Sequence, residues 1–170
     1  MLEIERKFLV RDDSYKQLAR KSYHIRQGYI CSGHGHTVRV RLRDEQGFLT
    51  IKGPSLDGGL SRYEFEKEIT AEEARQLFCL CKPGGIDKTR FLVPMADGHT
   101  FEVDEFYGDN EGLVVAEVEL SAPDEPFERP PFLADEVTAD RRYSNAHLSA
   151  HPYNTWRESL TPQTPQRPQA

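Results

Sequence analysis

Acidic and basic side chains recur at every second position along several stretches of this chain. Glu3-Ile-Glu5-Arg-Lys7 stands at the start, and Glu117-Val-Glu119 repeats the acidic spacing far downstream. Between them lie Arg39, Arg41 and Arg43; Thr50 with Lys52; Arg62, Glu64, Glu66 and Glu68; Lys88 with Arg90; and Glu102 with Asp104. Gln27 and Tyr29 follow the same spacing. Carboxylates are hard oxygen donors for divalent cations, and guanidiniums and ammoniums bind phosphate oxygens. These residue types therefore suit a metal-bound, phosphorylated ligand, provided that one surface gathers them.

A β-strand does the gathering, because residues i and i+2 share a face. Period-two alternation runs through Leu2–Val10, His24–Ile30, Thr37–Arg43, Phe48–Gly53, Arg62–Ile69, Lys88–Val93, His99–Phe106 and Val114–Leu120. The opposite parity is largely apolar, with Ile4, Phe8, Val38, Val40, Ile51, Phe65, Phe101, Val103 and Val118. Two arrangements satisfy the pattern. In a sandwich the charges face water, as in most antiparallel sheets. In a closed barrel they face a lumen, at severe cost unless something fills it. Like charges recurring on strand after strand favour the lumen. Its lining would hold eight cations and nine carboxylates. Two divalent ions and a triphosphate of about four negative charges nearly cancel that balance.

Turn signals at Gly33-His34-Gly35, Asp44 to Gly47, Pro54 to Gly59 and Asp97-Gly98 separate the strands. Three helices are expected: one capped by Asp12 or Asp13 and running to about Lys21, one opened by the capping box Thr70-Ala-Glu-Glu73, and one from near Asp140 through Leu148. Pro123 to Pro131 reads as a connector. Residues 1–150 form one expected domain, and 151–170 a tail whose Pro/Gln-rich end is expected to be disordered.

The net charge of −6 and pI near 5.5 speak against nucleic acid as a partner. No apolar run reaches membrane-spanning length, and no signal-peptide pattern is present, so no membrane association is expected. Cys31, Cys79 and Cys81 form no disulfide framework, which fits a reducing cytoplasm. His34 and His36 read as turn residues.

The ExExK run in EIERKFLV, followed by RQGYI, VRVRLR, LTIKG, GGLSRYEFEKEI, DKTRF, FEVDEF, VVAEVEL and DRRYSN, resembles the CYTH superfamily of triphosphate tunnel metalloenzymes. It is similar in particular to small bacterial members that hydrolyse inorganic tripolyphosphate. The likeness spans Met1 to about Ser149. It implies an α+β fold, an eight-stranded antiparallel closed β-barrel (a tunnel) with a few flanking helices.

The resemblance also implies roles. Glu3, Glu5, Glu117 and Glu119 would form an oxygen site for Mg²⁺ or Mn²⁺, with two ions expected, and Glu64, Glu66 and Asp104 would support a second metal or tune the cations. Lys7, Arg39, Arg41, Lys52, Arg62, Lys88 and Arg90 would bind the phosphate chain. Tyr29, Lys7 and Lys88 are the candidate catalytic residues; for Tyr29, a contact to phosphate or water stands beside a purely packed tyrosine. Glu68 and Glu102 read as rim charges. The expected reaction is metal-dependent hydrolysis of tripolyphosphate to pyrophosphate and phosphate, without a covalent intermediate. The substrate would be a small polyanion, with a nucleoside triphosphate the next choice. Alternatives are a class IV-type adenylyl cyclase, a thiamine triphosphatase, or a polyphosphate-binding module without catalysis.

Overall fold

The computed structural model describes residues 2–160. Nine strands form one antiparallel sheet: β1 (Leu2–Val10), β2 (Lys21–Gly33), β3 (His36–Arg43), β4 (Gln46–Leu56), β5 (Ser61–Ile69), β6 (Ile86–Pro94), β7 (Thr100–Phe106), β8 (Val114–Glu119) and β9 (Leu133–Glu136). The order is β5-β4-β3-β2-β6-β7-β8-β1-β9, and β5 also pairs with β1. That last pairing closes β1 to β8 into an eight-stranded barrel, with β9 outside it as an extra strand on β1.

β1 makes the closure by dividing its neighbours. Leu2, Glu3 and Ile4 pair with Tyr63, Arg62 and Ser61 of β5. Glu5 to Leu9 pair with Glu119 to Val115 of β8. Beyond the short β5 seam, the free edge of β1 is covered by β9 at Phe8 and Val10.

The main apolar core lies outside the barrel wall. Ile4, Phe8, Val93, Phe101, Val103, Ala116 and Val118 project outward and pack under Tyr15, Phe127, Phe132 and Leu133. Proline-rich chain after β8 thus serves as a lid on apolar strand faces, and its Phe127 meets Phe8 and Phe101 edge-on. The outer face of β4 and β5 is left bare at Ile51, Tyr63 and Phe65. A second cluster, Ile86, Phe106, Leu113, Val115, Tyr143 and Leu148, draws on the parity of the charged residues. Val115, two residues from Glu117, makes the change explicit: at one end the interior turns from charged to apolar.

Helices flank the barrel. α1 (Tyr15–Leu18) is shorter than the expected segment to Lys21, because Lys21 already pairs with Leu92 of β6. α2 (Ala71–Leu77) carries the capping box: Glu73 N–H donates to Thr70 Oγ1 at 3.1 Å, and Thr70 N–H donates to Glu73 Oε2 at 2.7 Å. It lies on the start of β4 at Gly47, where a Cβ would come within 2.6 Å of the Thr70 carbonyl. The expected single helix from Asp140 to Leu148 is two pieces. Asp140 caps a 3-10 turn at Arg141–Tyr143, and Ser144, extended, caps α3 (Asn145–Ala150) by accepting from His147 N–H. Residues 153–160 add short turns that set Trp156 against Tyr143. The expected disorder of the chain end falls at 161–170, outside the described residues. No helix among the described residues is long and apolar enough to cross a membrane.

Candidate active site

The lumen holds a cavity of about 740 Å³, a size typical of small-molecule sites. Of the residues expected to act, Glu3, Glu5, Lys7, Tyr29, Arg39, Arg41, Lys52, Arg62, Glu64, Glu66, Arg90, Glu117 and Glu119 line it. Lys88 and Asp104 are 0% and 1% exposed and lie beneath that lining.

The acidic end is built by register. Glu5 stands directly opposite Glu119, and Lys7 opposite Glu117. Side chains so placed on one face are neighbours, and like charges there repel. Burial, with Glu117 close by, raises the Glu5 pKa against the pull of Lys7. Burial also raises Glu119, helped by Glu3, Glu102 and Glu64. Glu117 goes the other way: burial would raise it, but Lys7, Arg90 and Lys88 together hold it well below the usual carboxylate range. Lys7 Nζ is 3.2 Å from Glu117 Oε1. Lys52 Nζ donates to both oxygens of Glu3, at 2.9 and 2.7 Å, and lies 2.9 Å from Glu64. Arg62 Nε approaches Glu3 at 3.5 Å.

Across the lumen the guanidiniums gather on β3. Arg39 donates to Thr50 at 3.2 Å and lies 3.6 Å from Glu66, while its buried Nε has no hydrogen-bond partner. Arg41 donates to the side-chain oxygen of Gln27 at 3.2 Å. No ion pair reaches it among the described residues. Burial, then Arg39 and Arg90, push its pKa down to about 9, which leaves it charged at neutral pH. Tyr29 is buried beside them and accepts from Gln27 Nε2 at 3.3 Å.

A third group is self-contained. Arg90 grips Asp104 with two bonds of 2.7 Å and also pairs with Glu102. Lys88 Nζ donates to Asp104 at 2.6 Å and to Asn145 Oδ1 at 3.0 Å. Burial, with Arg90 and Arg41 adding to it, takes the Lys88 pKa down to about 7 despite Asp104. Both Asp104 oxygens are thus engaged by cations.

Several contributors escaped the sequence reading. Glu102, read as a rim charge, binds Arg90. Asn145, which the resemblance placed only in a helix at a tunnel mouth, reaches Lys88 from α3. Tyr23, whose ring lies 4.7 Å from the Arg43 guanidinium, sits on an extension of β2 before the expected start at His24. Tyr23 lines the lumen, as its pairing with the lumenal Arg90 requires once the strand is extended.

Fold and site together describe a tunnel whose charged lumen is lined from all sides by antiparallel strands. The CYTH domain family matches residues 1–151, and the chain belongs to it. An inorganic triphosphatase of Acetivibrio thermocellus is 45% identical over 157 residues, covering 92% of this chain and 98% of that protein. An inorganic triphosphatase of Nitrosomonas europaea is 36% identical, covering 88% and 97%. The solved structure of the inorganic triphosphatase NE1496 superposes with a TM-score of 0.60 at 32% identity, over 86% of this chain and 97% of that one.

Proposed function

We propose that this chain hydrolyses inorganic tripolyphosphate to pyrophosphate and phosphate inside the barrel, with divalent cations. The observation that carries the reading is Arg41. A half-buried guanidinium whose hydrogen bond among the described residues is to an amide oxygen, beside Arg39 with an unpartnered Nε, is costly unless an anion completes it. A phosphate chain does so, since its oxygens match the guanidinium fork. The relatives, both named inorganic triphosphatases, point the same way.

The donor set fits a hard divalent ion in chemistry and in charge. Glu5 and Glu119 oppose each other with raised pKa values, and a cation between them relieves that repulsion. Among the described residues, no three side chains of the ligand types stand together at metal-binding distances. Glu3, Glu5, Glu117 and Glu119 would hold Mg²⁺ or Mn²⁺, two ions in all. Bound there, the metal supplies positive charge to phosphate oxygens and a water of lowered pKa.

The remaining work falls to the chain's own residues. Arg39, Arg41, Lys52, Arg62, Arg90 and Lys7 hold the phosphate oxygens and stabilise the charge that grows on departing pyrophosphate. Water adds to a terminal phosphorus as the bond to the bridging oxygen breaks; one water proton stays on the released phosphate and the other passes to solvent. Tyr29, through its hydroxyl O–H, donates a hydrogen bond to a phosphate oxygen. Glu64 and Glu66 fix Lys52 and Arg39, and Asp104 fixes Lys88 and Arg90, so these acids orient the cations. Lys88, sealed below the lining, acts through Asp104 and Asn145 and does not touch the substrate.

Phosphate release from tripolyphosphate, ATP and thiamine triphosphate, each with and without Mg²⁺, tests the reading. Tripolyphosphate is expected to be cleaved fastest and only with metal. Arg41→Ala is expected to raise KM roughly tenfold or more, the value of hydrogen bonds to a charged group. Cyclic nucleotide from ATP, or tight binding with no release from any substrate, overturns it.

A further inference from the structure

One end of the lumen carries an aromatic pair. Tyr23 stands opposite Arg90 of β6, and Phe48 opposite Arg41 of β3. Both therefore adjoin guanidiniums that hold phosphate in the proposed reaction. Ile25 and Leu92 line the same cavity and add apolar wall. Tyr29, a further tyrosine of that lining, is buried at 5% exposure. A second cavity, of about 910 Å³, adjoins the first and is lined by no Phe, Tyr or Trp among the described residues. A flat organic ring attached to a triphosphate would thus find its stacking partner beside Tyr23.

That place is already filled by Arg43. Its guanidinium carbon lies 4.7 Å from the centre of the Tyr23 ring and 4.7 Å from that of Phe48. Nη2 donates to Gln46 Oε1 at 2.9 Å across the β3–β4 turn, and the buried Nε has no hydrogen-bond partner among the described residues. Rings, more than polar partners, hold this side chain. Glu102, an acid of the same cavity, pairs with Arg90. Lys21 sets a second cation 4.7 Å from the Tyr23 ring. Each of these cation–π contacts is attractive, and another group can stack on those faces only by displacing them.

We propose that Arg43 determines specificity: it occupies, over Tyr23 and Phe48, the place that an aromatic substituent on a triphosphate would take. The inference rests on the tripolyphosphatase reading and names a residue that confines it to substrates without a ring. A bare phosphate chain needs no aromatic face and loses nothing to the stack. An organic triphosphate has two courses. It displaces the guanidinium from both rings, or it leaves its own ring unstacked, and either course weakens its binding. Glu102 and Glu119 line the same cavity, so a cationic ring gains most once Arg43 is gone.

The test is Arg43→Ala, assayed by phosphate release from thiamine triphosphate and from tripolyphosphate with Mg²⁺. The variant is expected to raise kcat/KM for thiamine triphosphate roughly tenfold, through KM, which is the size of one ring stacked on an aromatic side chain. KM for tripolyphosphate is expected to change less than about threefold. Adding Tyr23→Leu is expected to cancel the gain, because the vacated ring is what the organic substrate uses. No gain with thiamine triphosphate, an equal change on both substrates, or a gain that survives the loss of Tyr23 overturns the assignment. Should Arg43→Ala fail to fold, the shorter, uncharged Arg43→Gln replaces it, and the absence of any gain there counts equally against the assignment. If the wild type releases no phosphate from tripolyphosphate, the functional reading fails separately. Calorimetric binding of thiamine triphosphate to wild type and variant then decides the role of Arg43, and equal affinities overturn it.

Discussion

Glu5 holds two opposed demands at the residue scale. Burial and Glu117 make its ionised form costly, while in the proposed function a divalent ion would need that form as a ligand. Its contribution to folding is therefore small or unfavourable, and its value lies in function. Glu5→Gln is expected to melt at the wild-type temperature or above while losing turnover at limiting Mg²⁺ by roughly a hundredfold or more, given that even residues behind a metal ligand cost 10–100-fold. Thermal melts and phosphate release over an Mg²⁺ titration check both halves. Parity alone made most of these side chains legible, because a strand leaves little choice of face once its period is known. It could not separate Arg41, which meets the lumen, from Lys88, which is sealed under it. Both sit at the same spacing, and depth depends on Phe106, Val115 and Asn145, which come from other elements.

At the scale of elements, the cross-strand ion pairs of β6 and β7 replace an apolar contact inside the wall. Asp104 is buried and bears two cations, so Asp104→Asn strands both Lys88 and Arg90. A loss of about 3–5 kcal/mol is expected, readable as a lower denaturant midpoint. The β6–β7 turn is tied to the segment after β8 by His99, between Asp97 at 3.0 Å and Glu125 at 3.1 Å. The bond to Asp97 raises the imidazole pKa above its ordinary value. A raised base stabilises the fold below its unfolded pKa of about 6.5, and that support is lost as pH climbs through the folded value. Hydrogen-exchange protection in residues 121–128, relative to the intrinsic base-catalysed rate at each pH, is therefore expected to fall between about pH 6 and pH 8, and His99→Gln to remove that fall. Strands and the capping box of α2 were readable from pattern. β9 was not, since four residues with no clear alternation follow a proline-rich stretch. The break at Ser144 was also hidden: a serine within a helical run betrays a new cap only through its extended backbone.

Over the whole molecule, hydrophobic packing and charge exchange their usual places. The wall is held from outside by aromatic side chains, and the interior stores electrostatic cost that a ligand recovers. Tripolyphosphate with Mg²⁺ is therefore expected to raise Tm in a concentration-dependent manner, through a stabilisation of about 2.7 kcal/mol at a hundredfold excess over Kd. Differential scanning fluorimetry reads this directly, and an unchanged Tm counts against lumenal binding. The closed barrel and its lining followed from the sequence because resemblance and alternation agreed. The outer β4–β5 face did not, since Ile51 and Phe65 look like core yet lie 41% and 48% exposed.

The divided pairing of β1 has a consequence for how the chain is made. This strand leaves the ribosome before any of its partners, and its ladder with β8 needs residues up to Glu119. At ordinary synthesis speeds it waits roughly 5 to 20 seconds for that partner. During that delay the alternating carboxylates and cations that later serve phosphate keep an otherwise sticky ribbon in solution.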